Sequence, residues 1–286
     1  MVRYEEVEAL VAAWQDALAS RVEAREVAWA TCYSYSRGVG RYLAWCKEGN
    51  YPWAAEGSVR EWQRELLDQG FAPSSVNTWA AGLKAFFAWA VAQGALAEDP
   101  TKELGYVATD VSNLIAERLP LADDEVLRVL QSPDDSEIGR RDRAILALMA
   151  YAAARTIDIQ RATIGGLRID PDGLLLHLLL DGEELVATHA HAISAVRAWL
   201  DVHPLADEAE APLFVALGNR ARGERLTTRA IRRIVKERFR QAGIVDPRKT
   251  AHSLRCSAIS NALRRGASLY RVRIMSRHRS LGSLSK

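Results

Sequence analysis

The sequence predicts a mainly α-helical protein with one small antiparallel β-sheet, split into an N-terminal helical domain and a C-terminal α+β domain. Three observations predict it. Apolar residues recur at helical spacing through most of the chain. The stretch from Leu167 to Ala187 switches instead to short apolar runs punctuated by Asp-Gly pairs. The periodicity then lapses once, between Asp99-Pro100 and Leu119-Pro120. A chain of 286 residues is long for one ordinary domain and sufficient for two, each with its own core. The expected boundaries are residues 1–106, a linker over 107–118, and a second domain over 119–286.

In the first domain Tyr35, Val39, Tyr42, Leu43 and Cys46 share one helix face, and Gly49-Asn50-Tyr51-Pro52 ends it. Ser58 suits the N-cap of a second helix, with Val59, Trp62 and Leu66 inward and Gly70 past its end. Pro73-Ser74-Ser75 opens a third, whose stripe Val76, Trp79, Leu83, Phe86, Phe87 and Ala90 stops at Gly94. Its opposite face carries Ser74, Ser75, Asn77, Thr78 and Lys84, which are short or basic groups.

In the second domain a helix begins near Asp123, with Val126, Leu127 and Leu130 inward, and a strongly apolar helix runs from Arg143 to about Ala153. Leu167–Ile169, Leu174–Leu180 and Leu185–Ala187 are read as three short strands, with hairpin signals at Asp172-Gly173 and Asp181-Gly182. Helices follow over Ala192 to Leu200 and Thr227 to Gln241. The latter buries Ile231, Ile234, Val235 and Phe239 and spreads Arg229, Arg232, Arg233, Lys236 and Arg240 over its other faces. At least two more helices come after it, parted near Gly266.

Composition narrows the function. Apolar (49%) and charged (26%) shares are those of an ordinary globular protein. No stretch reaches the roughly 20 apolar residues of a bilayer span. The N-terminus, with Glu5, Glu6 and Glu8, lacks a secretory signal, so a cytoplasmic location without a membrane partner is expected. Cys32, Cys46 and Cys256 are too few and too scattered for a disulfide framework or a zinc site. His189 and His191 find no third ligand at suitable spacing, so no metal is expected. Charge is distributed unevenly. From Gly218 to Lys286 there are 19 Lys or Arg against 3 acids, a surplus of 16 in a chain whose net charge is +2. A basic block with helical periodicity predicts a face that meets nucleic-acid phosphates. Residues 1–110, with 10 basic and 15 acidic side chains, are not broadly electropositive, so any DNA contact there falls to Ser74, Ser75, Asn77, Thr78 and Lys84.

Four motifs stand in order: Arg141-Asp142-Arg143-Ala144-Ile145-Leu146, then Ala154-Arg155-Thr156-Ile157-Asp158, then Ala251-His252-Ser253-Leu254-Arg255, then His278. Together they resemble the catalytic domain of the tyrosine recombinases, the phage integrase family, and Val76 to Val91 resembles the last long helix of that family's N-terminal core-binding, SAM-like domain. The resemblance implies a site-specific recombinase that binds double-stranded DNA between its two domains and needs no cofactor. It also implies roles. Arg155 and Arg255 clamp the phosphate, His252 handles the nucleophile's proton, His278 donates to a non-bridging oxygen, and Asp158 orients its neighbours. Arg229, Arg232, Arg233 and Lys236 would meet the DNA backbone.

The sequence departs from that pattern in three places. The family's nucleophilic tyrosine lies about nine residues past the final His, and that count from His278 falls one position beyond Lys286. The family's hairpin lysine is replaced by the turn Asp181-Gly182-Glu183-Glu184, with no lysine between Lys102 and Lys236. Arg277 stands where the family usually has Gly. The expectation is a chain that binds DNA and holds a phosphate without cleaving it. Site-specific recombination, with DNA-dependent assembly of four copies, would belong to a version that has the tyrosine. The alternative is a non-catalytic accessory or regulatory DNA-binding protein on the same fold.

Overall fold

The structure, a computed structural model, describes residues 4–24, 26–108, 119–180 and 182–278. The chain forms two compact units, Met1–Asp110 and Val111–Lys286. Among the described residues no helix is long and apolar enough to cross a membrane.

The first unit consists of α1 (Tyr4–Glu23), α2 (Trp29–Gly49), α3 (Glu56–Asp68) and α4 (Pro73–Ala92). Helix α1 was not anticipated. Only Val7, Trp14 and Leu18 of its face are fully buried, and Ala and Glu dilute the periodicity between them. Trp14 meets Phe86 edge-on at 5.4 Å, and the buried Tyr42 hydroxyl donates to Trp53 O at 2.7 Å. Ser58 is not the N-cap expected of it. The cap position is Ala55, and Ser58 lies buried in the first turn of α3.

Helices α2 and α4 cross at van der Waals contact of their backbones. A Cβ on Gly38 would stand 2.8 Å from Trp79 Cα, and one on Gly82 would stand 2.8 Å from Tyr35 Cα. Both obstacles are backbone atoms that cannot rotate away. Gly38→Ala or Gly82→Ala is therefore expected to destabilise this unit by about 1–3 kcal/mol through overpacking, although alanine favours helix. Urea unfolding of the full chain checks this, and a stabilising effect at either position would refute the packing argument.

Past α4 the chain is strapped back onto it. Val107 N–H donates to Asn77 Oδ1 and Asn77 Nδ2 to Val107 O, both at 2.8 Å, while Lys84 Nζ lies 4.9 Å from the Tyr106 ring centroid.

The second unit holds α5 (Asp123–Gln131), α6 (Glu137–Tyr151), α7 (Thr156–Arg161), β1 (Leu167–Ile169), β2 (Leu176–Leu180), β3 (Glu183–Ala187), α8 (Ala190–Leu200), α9 (Thr228–Gln241), α10 (Ala251–Arg264) and α11 (Leu269–Ser276). The strands form an antiparallel sheet in the order β1-β2-β3, with Arg168 opposite His177 and Leu178 opposite Leu185. Alternate residues Leu176, Leu178 and Leu180 turn inward, which gives the hairpin a buried face against the helices. β2 begins at Leu176 rather than Leu174, whose side chain is exposed, and β3 begins at Glu183 rather than Leu185. The turn is thus shorter than expected, with Gly182 taking φ 80°, and Glu183 and Glu184 belong to the strand.

Helix α6 is the centre of the unit, with every residue from Ala144 to Ala150 buried. It begins at Glu137, six residues before the expected Arg143, behind the N-cap Ser136 Oγ, which accepts from Gly139 N. The added turns contain a buried ion triad. Asp142 Oδ1 accepts from Arg141 Nη2 at 2.6 Å, and Asp142 Oδ2 accepts from Arg238 Nη2 of α9 at 2.6 Å. On α5 the inward residues are Val126 and Val129, whereas Leu127 is exposed.

Candidate phosphate site

Four chain segments converge on one place. Arg155 is the N-cap of α7, where Asp158 at the third helical position accepts from the Arg155 backbone N–H at 2.6 Å and from its Nε at 3.1 Å. An N-terminal carboxylate satisfies the otherwise free amides of the first turn, so Asp158 fixes both the helix start and the direction of the Arg155 guanidinium. The outer nitrogen, Nη2, reaches Glu183 Oε2 at the start of β3 at 2.6 Å. Burial opposes the charge of Arg155, and the two carboxylates outweigh it, holding the guanidinium above its usual range.

Arg255, on the inner face of α10, is buried and donates to two backbone carbonyls, Ala153 O before α7 and Ser276 O at the end of α11. Ala153 and Arg277 have left-handed backbones, with φ 52° and 53°. Such conformations are costly for non-glycine residues and persist where surrounding contacts enforce them. Here Arg255 grips the carbonyl at one of these bends and the carbonyl preceding the other. Burial, followed by repulsion from Arg277 and Arg155, pulls Arg255 down to about 10, still charged at neutral pH.

His278 follows directly. Its Nδ1 lies 2.6 Å from Ser276 Oγ, and that hydroxyl donates to Val272 O. Burial, with Arg255 and Arg155 adding to it, keeps the ring below its ordinary value and so neutral at pH 7. Arg277 pairs with Asp158 Oδ2, and its Nε stands 3.6 Å from Glu183 Oε2.

His252 lies at the start of α10, behind the N-cap Thr250, and is exposed. It lines a cleft of about 920 Å³ together with Arg155 and Arg255. The opposite wall is α9, whose Arg232, Arg233, Lys236 and Arg240 face the same space, while Arg229 is exposed outside it. The Asp142–Arg238 bond anchors the rear of that helix, so its basic front is held in place. Lys249 also lines the cleft, paired with Glu125 at 2.6 Å. The sequence reading did not single it out, because nothing in the spacing ties residue 249 to the wall.

In the other unit Ser74 and Thr78 are exposed and Ser75 half-buried. Together with Tyr33, Ser34 and Arg37 they edge a shallow recess. Asn77 and Lys84 are turned toward the strap at Tyr106 and Val107. Among the described residues no group of three or more metal-ligating side chains exists, and His189 stacks on Tyr151 with ring centroids 3.8 Å apart.

Comparison with known proteins agrees with this layout. The profile of the phage integrase family matches residues 120–286, and that of its N-terminal SAM-like domain matches residues 12–94. The tyrosine recombinase XerD of Pseudomonas putida is 28% identical over 269 residues, covering 88% of this chain and 84% of that protein. XerC of Corynebacterium glutamicum is 28% identical over 228 residues, covering 78% and 70%. Among solved structures the fold is shared with XerH bound to a palindromic difH substrate in a post-cleavage complex (TM-score 0.72, 16% identity, 91% of this chain and 76% of that one). It is shared also with a lambda integrase dimer on a COC' core site (TM-score 0.68, 17% identity, 96% of each). With its fold, the order of its Arg, His-x-x-Arg and His elements, and a family match over more than half its length, this chain belongs to the phage integrase family of tyrosine recombinases.

Proposed function

We propose that this protein is a site-specific DNA recombinase or integrase that grips duplex DNA and sets a scissile phosphate between Arg155 and Arg255. The observation that carries the reading is the meeting of Arg155, His252 and Arg255 on one cleft opposite the basic face of α9. Attack on a phosphodiester concentrates negative charge on the non-bridging oxygens, and fixed donors aimed there lower the barrier. Guanidiniums stay charged and hold two oxygens at once. Arg255 is already immobilised by two carbonyls and Arg155 by Asp158, so little reorganisation is left for the reaction. His252, exposed at the cleft, takes the nucleophile's proton. His278, whose Nδ1–H is held by Ser276 Oγ, takes up a proton at Nε2 when the phosphate anion is bound and donates it to a phosphate oxygen. Arg232, Arg233 and Lys236 hold flanking phosphates, so affinity falls steeply with salt.

In the family reaction a tyrosine becomes joined to the 3′ phosphate while a 5′ hydroxyl leaves. The bond energy is kept in the protein–DNA link, and neither metal nor nucleotide is consumed. The position nine residues past His278 lies one beyond Lys286, so a polypeptide of these 286 residues offers no tyrosine there. Incubated with a nicked suicide duplex bearing its target site, this polypeptide is expected to bind without forming a covalent adduct. The same polypeptide extended by a tyrosine directly after Lys286 is expected to form one. An adduct with the unextended chain would overturn this assignment of the nucleophile. Failure of the extended chain, with binding intact, would favour the second reading, an accessory or competing DNA-binding protein on the same fold. That reading is favoured by the hairpin, which has no lysine and instead carries Glu183, a carboxylate that accepts from Arg155. Assembly of four copies on two duplexes, and an origin in a mobile element, belong to the first reading.

A further inference from the structure

Arg277 has no part in the roles set out above, yet its side chain is enclosed and its charge is paired with Asp158. Its side chain is 8% exposed, its Nε and Nη1 are buried without a hydrogen-bond partner, and its backbone is left-handed. Buried donors left unmade are costly, above all on a charged group. The second observation is the position of Glu183. Its Oε2 lies between two guanidiniums, 2.6 Å from Arg155 Nη2 and 3.6 Å from Arg277 Nε. An anionic oxygen in that spot is what a phosphate would supply, and the Glu183 side chain is half exposed at the first residue of β3, where it can turn to solvent.

We propose that Arg277 is a third guanidinium of the phosphate site, and that the Glu183 carboxylate holds the place of a phosphate oxygen between Arg155 and Arg277 until DNA displaces it. The charges support the exchange. Arg155, Arg255 and Arg277 against Asp158 and Glu183 leave one positive charge in the free site. With Glu183 swung out the site carries two, which matches the roughly two negative charges of a phosphorane better than the single charge of a resting diester. The positive charge that a hairpin lysine brings in the family would thus come from the residue before His278. The inference rests on the reading that Arg155 and Arg255 hold a phosphate.

Inorganic phosphate is the probe, titrated by calorimetry at constant ionic strength and pH 7.5 into the full chain and into Arg277→Gly, Arg277→Lys, Glu183→Gln and Arg155→Ala variants. Melting without phosphate confirms that each variant is folded. Glycine suits φ 53°, so Arg277→Gly relieves backbone strain rather than adding it. Arg277→Gly is expected to weaken phosphate about tenfold, the loss of one charge-assisted contact. Arg277→Lys recovers part of that loss, and Glu183→Gln, which keeps shape and removes the competing charge, tightens phosphate about tenfold. Binding seen only in Glu183→Gln supports displacement as well. Unchanged affinity in both Arg277→Gly and Glu183→Gln, with loss in Arg155→Ala, overturns the role of Arg277 and leaves the phosphate clamp standing. No phosphate binding by any form, or unchanged binding in Arg155→Ala, overturns the clamp and this inference with it.

Discussion

Replacing Asp142 with alanine is expected to destabilise the second unit by about 3–5 kcal/mol, the cost of stranding buried charge. Asp142 is nearly inaccessible and neutralises two guanidiniums, Arg141 beside it on α6 and Arg238 on α9, whose side chains are themselves largely buried. Arg141 also donates to Val215 O at 3.1 Å, so it cannot turn to solvent without abandoning a second partner. Differential scanning calorimetry of the full chain gives the test. For a domain of this size the loss corresponds to a fall of about 10 °C in the transition of the second unit, with the first unit's transition unmoved. A shift of less than about 2 °C, roughly 1 kcal/mol or below, would mean that the triad is solvated in solution. Replacing Arg141, Asp142 and Arg238 together with apolar residues of similar size should recover much of the loss, because a buried ion cluster is exchanged for packing once no charge of it is left alone.

Arg155→Ala, in the chain extended by the tyrosine, is expected to slow adduct formation on a nicked duplex about 10²–10³-fold, the effect of removing one fixed donor from a charge-developing oxygen. Single-turnover kinetics at saturating protein separate this from weaker binding. Arg155→Lys should recover little. A lysine carries the charge but not the fork that addresses Asp158 through Nε while Nη2 points outward. A rate within threefold of the unaltered chain would remove Arg155 from the site. Arg255 is a poorer first choice, since its bonds to Ala153 O and Ser276 O mix a structural loss into any kinetic one.

Much of this was legible in the sequence, and the gaps have physical causes. Elements with a strong apolar period, such as α4 and α9, and the hairpin marked by Asp181-Gly182, lie close to where periodicity puts them. Helix α1 escaped because three buried anchors among alanines and glutamates do not make a continuous stripe. The apolar period starts α6 only at Arg143, because Arg140-Arg141-Asp142-Arg143 contributes no apolar residue to the stripe although the helix begins at Glu137. Two of those residues are buried only because Arg238, 96 positions away, completes their pairing. The same distinction separates the legible and illegible parts of the site. Arg155, His252 and Arg255 announce themselves by motif, and the structure gathers them on one cleft. The approach of Glu183 to Arg155 and Arg277 depends on strand register and on a left-handed turn at a non-glycine residue, neither of which a local pattern encodes.

The grip of Arg255 on Ala153 O and Ser276 O, across 102 and 21 residues, also sets an order in time. Translation delivers the N-terminal unit first, and domains fold as they emerge. The four helices of residues 4–92 can therefore be complete while the second unit is still being made. A nascent chain that has emerged as far as Gln241 carries the basic residues of α9, able to adhere to any nucleic acid nearby. It has neither of the carbonyl anchors joined through Arg255, nor Arg277, nor His278. Loose attachment to polyanions thus becomes possible during synthesis before the proposed phosphate site exists, and that site is complete only when α11 folds back onto the segment around Ala153 through Arg255.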